Sequence, residues 1–304
     1  MRPGVATEVR RPLFHRSNPG PVYAGPMTVW FTVFFLVPVL IIVGYSFLQR
    51  GKFGGVTMVF SLDAYRSLSD PNFLNITFRT IRTAIVTTII TLLIALPCGY
   101  YMARSKRQNV LLLLVIIPFW TNFLIRVFAW MNVLGNSGFL NEMLLRFGLI
   151  DTPTQFLFNR GAIVLVLVYM YLPYAILPLF ASIDKFDFSL LEAARDLGAS
   201  KATALIKVML PNIRGGMLTA ILFTFIPVFG AYAVPLLVGG KDSYMLGNMI
   251  ADQLTRARNW PRAAAISMVI TLVTTVGVVF TMGMRRRDAS RIAQAKATAE
   301  KEES

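Results

Sequence analysis

Glu192 and Arg195 stand three residues apart in the stretch EAARDLGASKATALIKVMLP, which runs from Glu192 to Pro211. At helical spacing a carboxylate and a guanidinium three apart share a face, and Asp196 stands a further turn beyond Glu192. Such a group can form ion pairs, but acid–base or nucleophilic catalysis needs a histidine or thiol poised beside it. The sequence has one histidine, His15, in the N-terminal tail, and one cysteine, Cys98, inside an apolar run. No Ser/His or Cys/His pair, histidine-based metal cluster or internal disulfide can therefore be assembled. A phosphate-binding loop is lacking too. Around Gly240-Lys241, Pro235 stands where the first glycine of G-x-x-x-x-G-K-[ST] belongs, and Asp242 where Ser or Thr belongs. The chain reads as neither an enzyme nor an ATPase.

The polar stretch has a local grammar of its own. Ser189-Leu190-Leu191-Glu192 has capping-box spacing, with Ser189 as N-cap and Glu192 reaching back. Gly198 stands where a helix end wants a residue free to take positive φ, Ser200 can cap a second helix, and Pro211 marks its end. Two short helices joined at Gly198-Ala199 follow, and the methyl side chains of Ala193 and Ala194 permit close approach of another surface. A plain connector would have this form, with Glu192 acting only as a cap. A DNA-binding helix-turn-helix is excluded, because residues 188–211 hold three cations against two anions and the second helix is apolar.

Around this stretch the chain is built for lipid. It has 304 residues, 55% of them hydrophobic. Six windows reach the roughly 20 apolar residues needed to cross a hydrocarbon core. They are Pro26–Phe47, Ala84–Ala103, Val110–Trp130, Gly161–Ile183, Met217–Val238 and Ala263–Met284. The first is too long for a cleaved signal peptide and no A-x-A-like site follows, so it reads as a retained anchor. With six spans the termini share a side. Segments 1–25, 104–109, 184–216 and 285–304 hold 18 Lys and Arg, against 11 in the opposite loops. The positive-inside rule then makes both termini cytoplasmic, and the net charge of +15 a topology signal rather than a nucleic-acid footprint. Arg79 and Arg82 run against this bias, on the outer side of the second span.

Prolines 38, 97, 118, 173 and 178 fall within spans, and the fifth span adds Pro227, Gly230 and Pro235. Breakers survive in membranes where neighbours or a lined cavity satisfy the freed backbone, so these helices are expected to bend around a pathway, the fifth above all.

The Glu192–Pro211 stretch resembles the EAA loop of ABC-importer permeases: E-A-A, three residues, G, nine residues, then I-x-L-P. Glu192-Ala193-Ala194, Gly198 and Leu210-Pro211 fall in register, with Val208 in place of the usual Ile. The likeness extends from about Thr28 to Met284 and is strongest to permeases of the spermidine/putrescine type. It is carried by Ile117–Trp130, Tyr169–Asp187 and Phe225–Ile250. The resemblance implies an all-α membrane protein of six spans, like type I importer permeases, with a cytoplasmic helix–turn–helix coupling loop at 184–216. The permease domain is 26–284, between a cytoplasmic basic tail, 1–25, and a C-terminal tail, 285–304. It implies as partners a second permease of similar fold, two ATPase subunits and a periplasmic binding protein. ATP and Mg belong to the ATPase, and this chain itself carries no cofactor. In that family the loop docks on the ATPase, which gives Glu192, Ala193, Ala194, Arg195, Asp196, Gly198 and Ala199 the coupling role. The capping and docking roles of Glu192 are compatible.

Arg126 is the one charge inside a span. It lies about 9 Å past the middle of the third span at 1.5 Å per residue, so it can snorkel to the outer interface or act in a gate. Asn122 and Trp130 share its face, and Trp120, Tyr169, Tyr171, Phe229 and Tyr232 offer aromatic faces for an amine at about 0.5–2 kcal/mol each, or ordinary packing. A polyamine meets no carboxylate in these spans. A zwitterionic or anionic amino compound, an opine or a phosphonate fits Arg126 equally. A self-sufficient channel or secondary carrier would bury ionisable groups for ions or protons, and only Arg126 qualifies.

Overall fold

In hydrocarbon a backbone that is not part of a closed barrel satisfies its own polar groups only as helix, and apolar runs of this length accordingly fold as helices. The computed structural model describes residues 20–302, and side chains from 24 to 283 except 241 and 280. The tail before residue 20, with His15, residues 303–304 and the side chains of the basic C-terminal stretch lie outside the described residues.

The first apolar run forms α1 (Ala24–Ser46), with a π turn at Thr32–Leu36. An antiparallel hairpin follows, β1 (Leu48–Arg50) with β2 (Val56–Phe60). Then come α2 (Pro71–Arg104), α3 (Gln108–Ile116), α4 (Phe123–Leu134), α5 (Phe139–Arg146) and α6 (Arg160–Ile183). The polar stretch forms α7 (Ser189–Asp196) and α8 (Lys201–Asn212), and the chain continues as α9 (Arg214–Phe229), α10 (Ala233–Val238), α11 (Leu246–Thr255) and α12 (Trp260–Glu302). Five of the helical segments are long and apolar enough to cross a membrane, or six if the bent pair α8 and α9 counts as one span.

Three boundaries differ from the sequence expectation. The second span begins at Pro71 rather than Ala84. Asp70 accepts a hydrogen bond from the Asn72 amide at 3.0 Å and Pro71 opens the first turn, so the helix starts well outside its apolar window. The third span is not continuous. After Ile116 it tightens into a 3₁₀ turn over Ile117–Trp120, becomes extended at Thr121 and Asn122, and restarts as α4. Pro118 opens that turn, and Asn122 caps the new helix by accepting from the Leu124 amide at 2.8 Å. The fifth span starts at Arg214 and breaks after Phe229. The 16 residues of α9 rise about 24 Å, and α10 supplies the rest of a roughly 30 Å hydrocarbon core.

The centre of the bundle is α2, α6 and α9 packed on one another, while α1 touches α12 through its second half. Two hydrophobic cores divide this bundle. One is built from Ala84, Val127, Val166, Leu167, Met170, Val228 and Leu246 among others. The other joins Ala95, Met102, Leu179, Ile183, Leu191, Met209 and Ala220. Between them on α2 lie Thr87, Thr88 and Thr91, and on α9 Thr224, all buried. Thr88, Thr91 and Thr224 bond back to the carbonyls one turn earlier, at 2.7 to 2.9 Å, so the hydroxyls are satisfied within their own helices.

The connecting segments gather at two ends. At one, Gln108 Nε2 donates to Asp184 Oδ1 at 3.0 Å and the Arg104 guanidinium lies 5.1 Å over the Phe188 ring. At the other, Arg50 donates to the Ala257 carbonyl at 2.6 Å, the Phe158 amide to Val238 at 2.9 Å, and Arg262 meets Asp70 at 3.8 Å. Among the described residues, segments 104–109 and 184–216 thus meet at one end, and 48–83, 131–160 and 239–262 at the other.

Gly216, near the start of α9, lies flat against α6. A Cβ there would collide with Ser182 and stand 2.8 Å from the Pro178 carbonyl oxygen, which is backbone and cannot rotate away. At Gly215 an added Cβ meets open space. Gly216→Val is expected to lower stability by about 1–3 kcal/mol through overpacking, and Gly215→Ala to leave it nearly unchanged. Thermal unfolding of the detergent-solubilised protein measures both.

Candidate functional site

The stretch Asp187–Asn212 forms a corner standing out from one end of the bundle. Its first helix is capped differently from the capping-box expectation. Ser189 lies inside α7, and Asp187 Oδ1 accepts from the Ser189 amide at 3.0 Å, while Glu192 reaches back to no partner. The Ser189 hydroxyl and amide hold the Asp187 carboxyl below its ordinary range. A depressed carboxyl favours the folded corner above the ordinary carboxylate range, and that contribution fades only as pH falls through the lowered value.

At the other end of α7 the chain turns through a complete Schellman arrangement. Gly198 takes φ +89°, its amide donates to the Arg195 carbonyl at 2.9 Å, and the Ala199 amide donates to Ala194 at 3.0 Å. Nothing lies within 4 Å of a Cβ placed on Gly198, so the backbone angle alone demands glycine. Ser200 then caps α8, accepting from the Thr203 amide at 3.2 Å. Within α8 the turn at Leu205–Met209 widens to π, and Pro211 follows it without an amide to donate. Asn212 Nδ2 donates to the Val208 carbonyl at 2.7 Å, and beyond it the chain bends by 77° into α9.

The corner has an anchored side and an open side. Leu191, Ala204, Met209 and Ile213 are buried with Met102 of α2 and Leu179 and Ile183 of α6. Glu192, Ala193, Arg195, Asp196 and Gly198 are exposed, Ala194 and Ala199 half-buried, and Leu197 is 89% exposed. Glu192, Arg195, Asp196, Gly198, Ala199, Ser200 and Lys201 line an open concavity of about 540 Å³. Among the described residues Glu192 and Arg195 form no ion pair, with each other or elsewhere, although they stand one turn apart. The corner is thus an exposed ridge of unpaired charges around one bare leucine, held on a packed inner face.

The residues singled out for a pathway divide. Arg126 is half-buried on α4, its Nε has no hydrogen-bond partner, and its guanidinium lies 5.7 Å from the Phe119 ring. Phe119 meets Tyr174 edge-on at 4.7 Å, Tyr174 lies 5.9 Å from Tyr171, and Trp130 meets Tyr169 edge-on at 5.3 Å. Arg126, Trp130, Tyr169 and Tyr171 therefore belong to a set of aromatic contacts along α6, met by Phe119 of the 3₁₀ turn and Trp130 of α4. Phe119 and Tyr174 join them without having been singled out; their clue was Phe119 beside Pro118 and Tyr174 at i+3 from Tyr171. Trp120, 79% exposed, lies on the open side of the break in the third span, and Asn122 serves as its helix cap. Phe229 does not join the set: it is fully buried and stacks on Phe225 at 5.6 Å as core. Tyr232 sits in the second break, where its carbonyl accepts from Asn248 Nδ2 at 3.1 Å.

The two breaks differ in kind. At residues 230–232 α11 reaches the backbone, through Asn248 on the Tyr232 carbonyl and a close approach of Gly247 to Ala231, which is buried, while Gly230 and Tyr232 are exposed. At Thr121-Asn122 the hydrogen bonds among the described residues are all local: the Thr121 hydroxyl and amide on the Pro118 carbonyl at 2.7 and 3.4 Å, and the Arg126 amide on the Asn122 carbonyl at 3.2 Å, beside the Asn122 cap, and both residues are exposed. Irregular backbone at membrane depth is tolerated only against protein or beside a water-filled cavity, so this face needs a partner or a pathway.

Residues 92–292 match the family model for the binding-protein-dependent transport system inner membrane component. The spermidine/putrescine transport system permease protein PotB of Escherichia coli strain K12 is 39% identical over 246 residues, covering 80% of this chain and 90% of that protein. Its namesake from Haemophilus influenzae is 35% identical, covering 80% and 86%. Among solved structures, a chain of a bacterial alginate ABC transporter in complex with an alginate pentasaccharide-bound periplasmic protein has a TM-score of 0.71 at 17% identity. It covers 88% of this chain and 95% of that one.

Gly198→Val forces a β-branched residue into the left-handed region, at about 1–3 kcal/mol. The corner is expected to loosen locally, and hydrogen exchange should accelerate at the amides of residues 198 and 199 while the centre of α6 keeps its protection.

Proposed function

The chain belongs to the family of binding-protein-dependent transport system inner membrane components, a permease subunit of an ABC importer, and we propose that its cargo is a polyamine-like amino compound of the spermidine/putrescine type. ATP hydrolysis takes place on a separate subunit. In our reading this chain forms half of the pathway, its other half being a second permease of similar fold. Two ATPase subunits carry ATP and Mg, and a periplasmic binding protein delivers the cargo. Both termini face the cytoplasm. The basic-residue bias and the gathering of the 104–109 turn with the corner at one end support that orientation.

One observation carries the mechanism: the corner of α7 and α8 is fused inward to the same core as α2 and α6 and open outward with unpaired Glu192 and Arg195. A load applied to such a surface moves the central helices rather than a loose loop. Glu192, Arg195 and Asp196 supply the charges for the ATPase cleft, Ala193, Ala194 and Ala199 the close approach, and Gly198 the turn. ATP-driven closure of the ATPase pair then displaces the corner and switches the access of the pathway.

For the cargo, the support is the likeness to the two permeases and the aromatic contacts around Tyr169, Tyr171 and Trp130, whose faces attract ammonium groups. Selection falls to the binding protein, with the spans providing a weak transit site. A second reading is an opine, other amine or phosphonate; its opine and phosphonate members are favoured by Arg126, whose unsatisfied Nε suits an acidic group.

Two measurements test this. In the assembled transporter Glu192→Ala is expected to cut binding-protein-stimulated ATPase activity at least tenfold while the subunits remain together; full activity in the variant removes the coupling role. In cells, uptake of radiolabelled spermidine should depend on this chain. Competition by an opine or a phosphonate but not by putrescine would move the cargo to the second reading.

A further inference from the structure

Arg79 and Arg82 of α2 stand against the positive-inside bias, at the end of the bundle opposite the corner, and the fold brings Arg160 beside them. The three arginines line one groove of about 290 Å³ between α2 and α6, with Thr83, Val86, Gly161 and Val164 as its other walls. No carboxylate lines it. None of the three arginines forms an ion pair among the described residues, and the one polar contact is Arg160 Nε donating to the Asp242 carbonyl at 3.3 Å.

Their depth is informative. The apolar window of α2 starts at Ala84, so Arg82 lies about 3 Å and Arg79 about 7 Å beyond the hydrocarbon edge at 1.5 Å per residue. Arg160 immediately precedes the apolar window of α6. All three stand at headgroup level, a layer about 5–8 Å thick. Toward the bilayer centre the groove becomes apolar through Val86 and Val164, and continues on α2 into the exposed row Ile89, Ile90 and Leu93.

We propose that this groove is a binding site for an anionic phospholipid of the leaflet opposite the corner. The phosphodiester is held by Arg79, Arg82 and Arg160, and an acyl chain lies along Val86 and Val164. Guanidinium groups converging without a counter-ion select a phosphate, which they engage through paired N–H donors. The apolar floor selects an amphiphile over a free anion or an acidic protein segment, either of which would leave Val86 facing unfilled space. The site is independent of the transported molecule. It explains why three cations persist on a side where topology alone disfavours them.

The test uses the assembled transporter in detergent, with added phosphatidylglycerol or phosphatidylcholine, and counts retained lipids by native mass spectrometry. Wild-type protein is expected to retain phosphatidylglycerol in preference to phosphatidylcholine. Each arginine exchanged for glutamine should weaken retention by about fivefold, and the triple variant R79Q/R82Q/R160Q should lose the lipid. Arg66→Gln, at the same end but paired with Asp63 outside the groove, should retain it. Equal retention of the two lipids by the wild type would overturn the proposal and requires no variant to fold. So would unchanged retention in the triple variant, or loss of a protein subunit with the lipid count intact. Displacement of phosphatidylglycerol by millimolar inorganic phosphate would reassign the groove to a free anion.

Discussion

Every backbone amide and carbonyl at membrane depth must find a partner, and that requirement decides which parts of this chain can be irregular. Most of the apolar sequence answers it with unbroken helix. Two places do not, and their surroundings differ. The break at 230–232 is roofed by α11, whose own start is held by the Leu246 amide on Thr80 Oγ1 at 3.0 Å, so the fifth span is stapled to the second. The break at 121–122 is held by its own Thr and Asn side chains and opens outward beside exposed Trp120. Breaker count in the sequence points to the fifth span as the bent wall of a pathway. The third span adds a break of its own, with Arg126 one turn beyond.

The division of the bundle into two cores gives the proposed coupling surface something to move. The corner shares its core with the inner halves of α2, α6 and α9, and the other core ties the opposite halves to α4, α10 and α11. A belt of small threonines separates them: Thr88, Thr91 and Thr224 bond within their own helices, and the Thr87 hydroxyl has no hydrogen-bond partner. Contacts across the belt are therefore van der Waals contacts of short side chains, easier to slide than interlocked leucines. Tight approaches flank it: Gly216 on α6 at the corner end, Gly247 on Ala231 at the other. The architecture is two firm ends on shared helices with a compliant middle.

Charge is arranged with the same economy. The apolar windows contain one cation, Glu192 and Arg195 of the corner stand unpaired, and on the opposite rim Asp63 pairs with Arg66, Asp70 with Arg262 and Asp252 with Arg256. In that rim Tyr244 donates to Asp252, and burial together with the neighbouring carboxylate raises the Tyr244 hydroxyl well above its ordinary value. The three arginines of the α2–α6 groove converge on a lining that holds no carboxylate, which is why that groove stands out.

Periodicity, hydropathy and turn chemistry act over a few residues, and what depends on them was legible in the sequence. The apolar windows, the short helix near Leu140, the glycine turn at 198 and the Ser200 cap all required only local information. So did the resemblance of Glu192–Pro211, since its motif lies within one connector. Other features depended on residues distant in the chain. The outer turns of the second span are held by distant residues, Phe73 in a core shared with Val127 and Leu246, and Thr80 by the Leu246 amide, and Phe229 went into that same core. Whether a proline bends a helix or breaks it, and whether a break is roofed or open, is set by what the rest of the chain lays against it. Hydrogen-bond satisfaction is a property of the assembled bundle, and no window of sequence contains it.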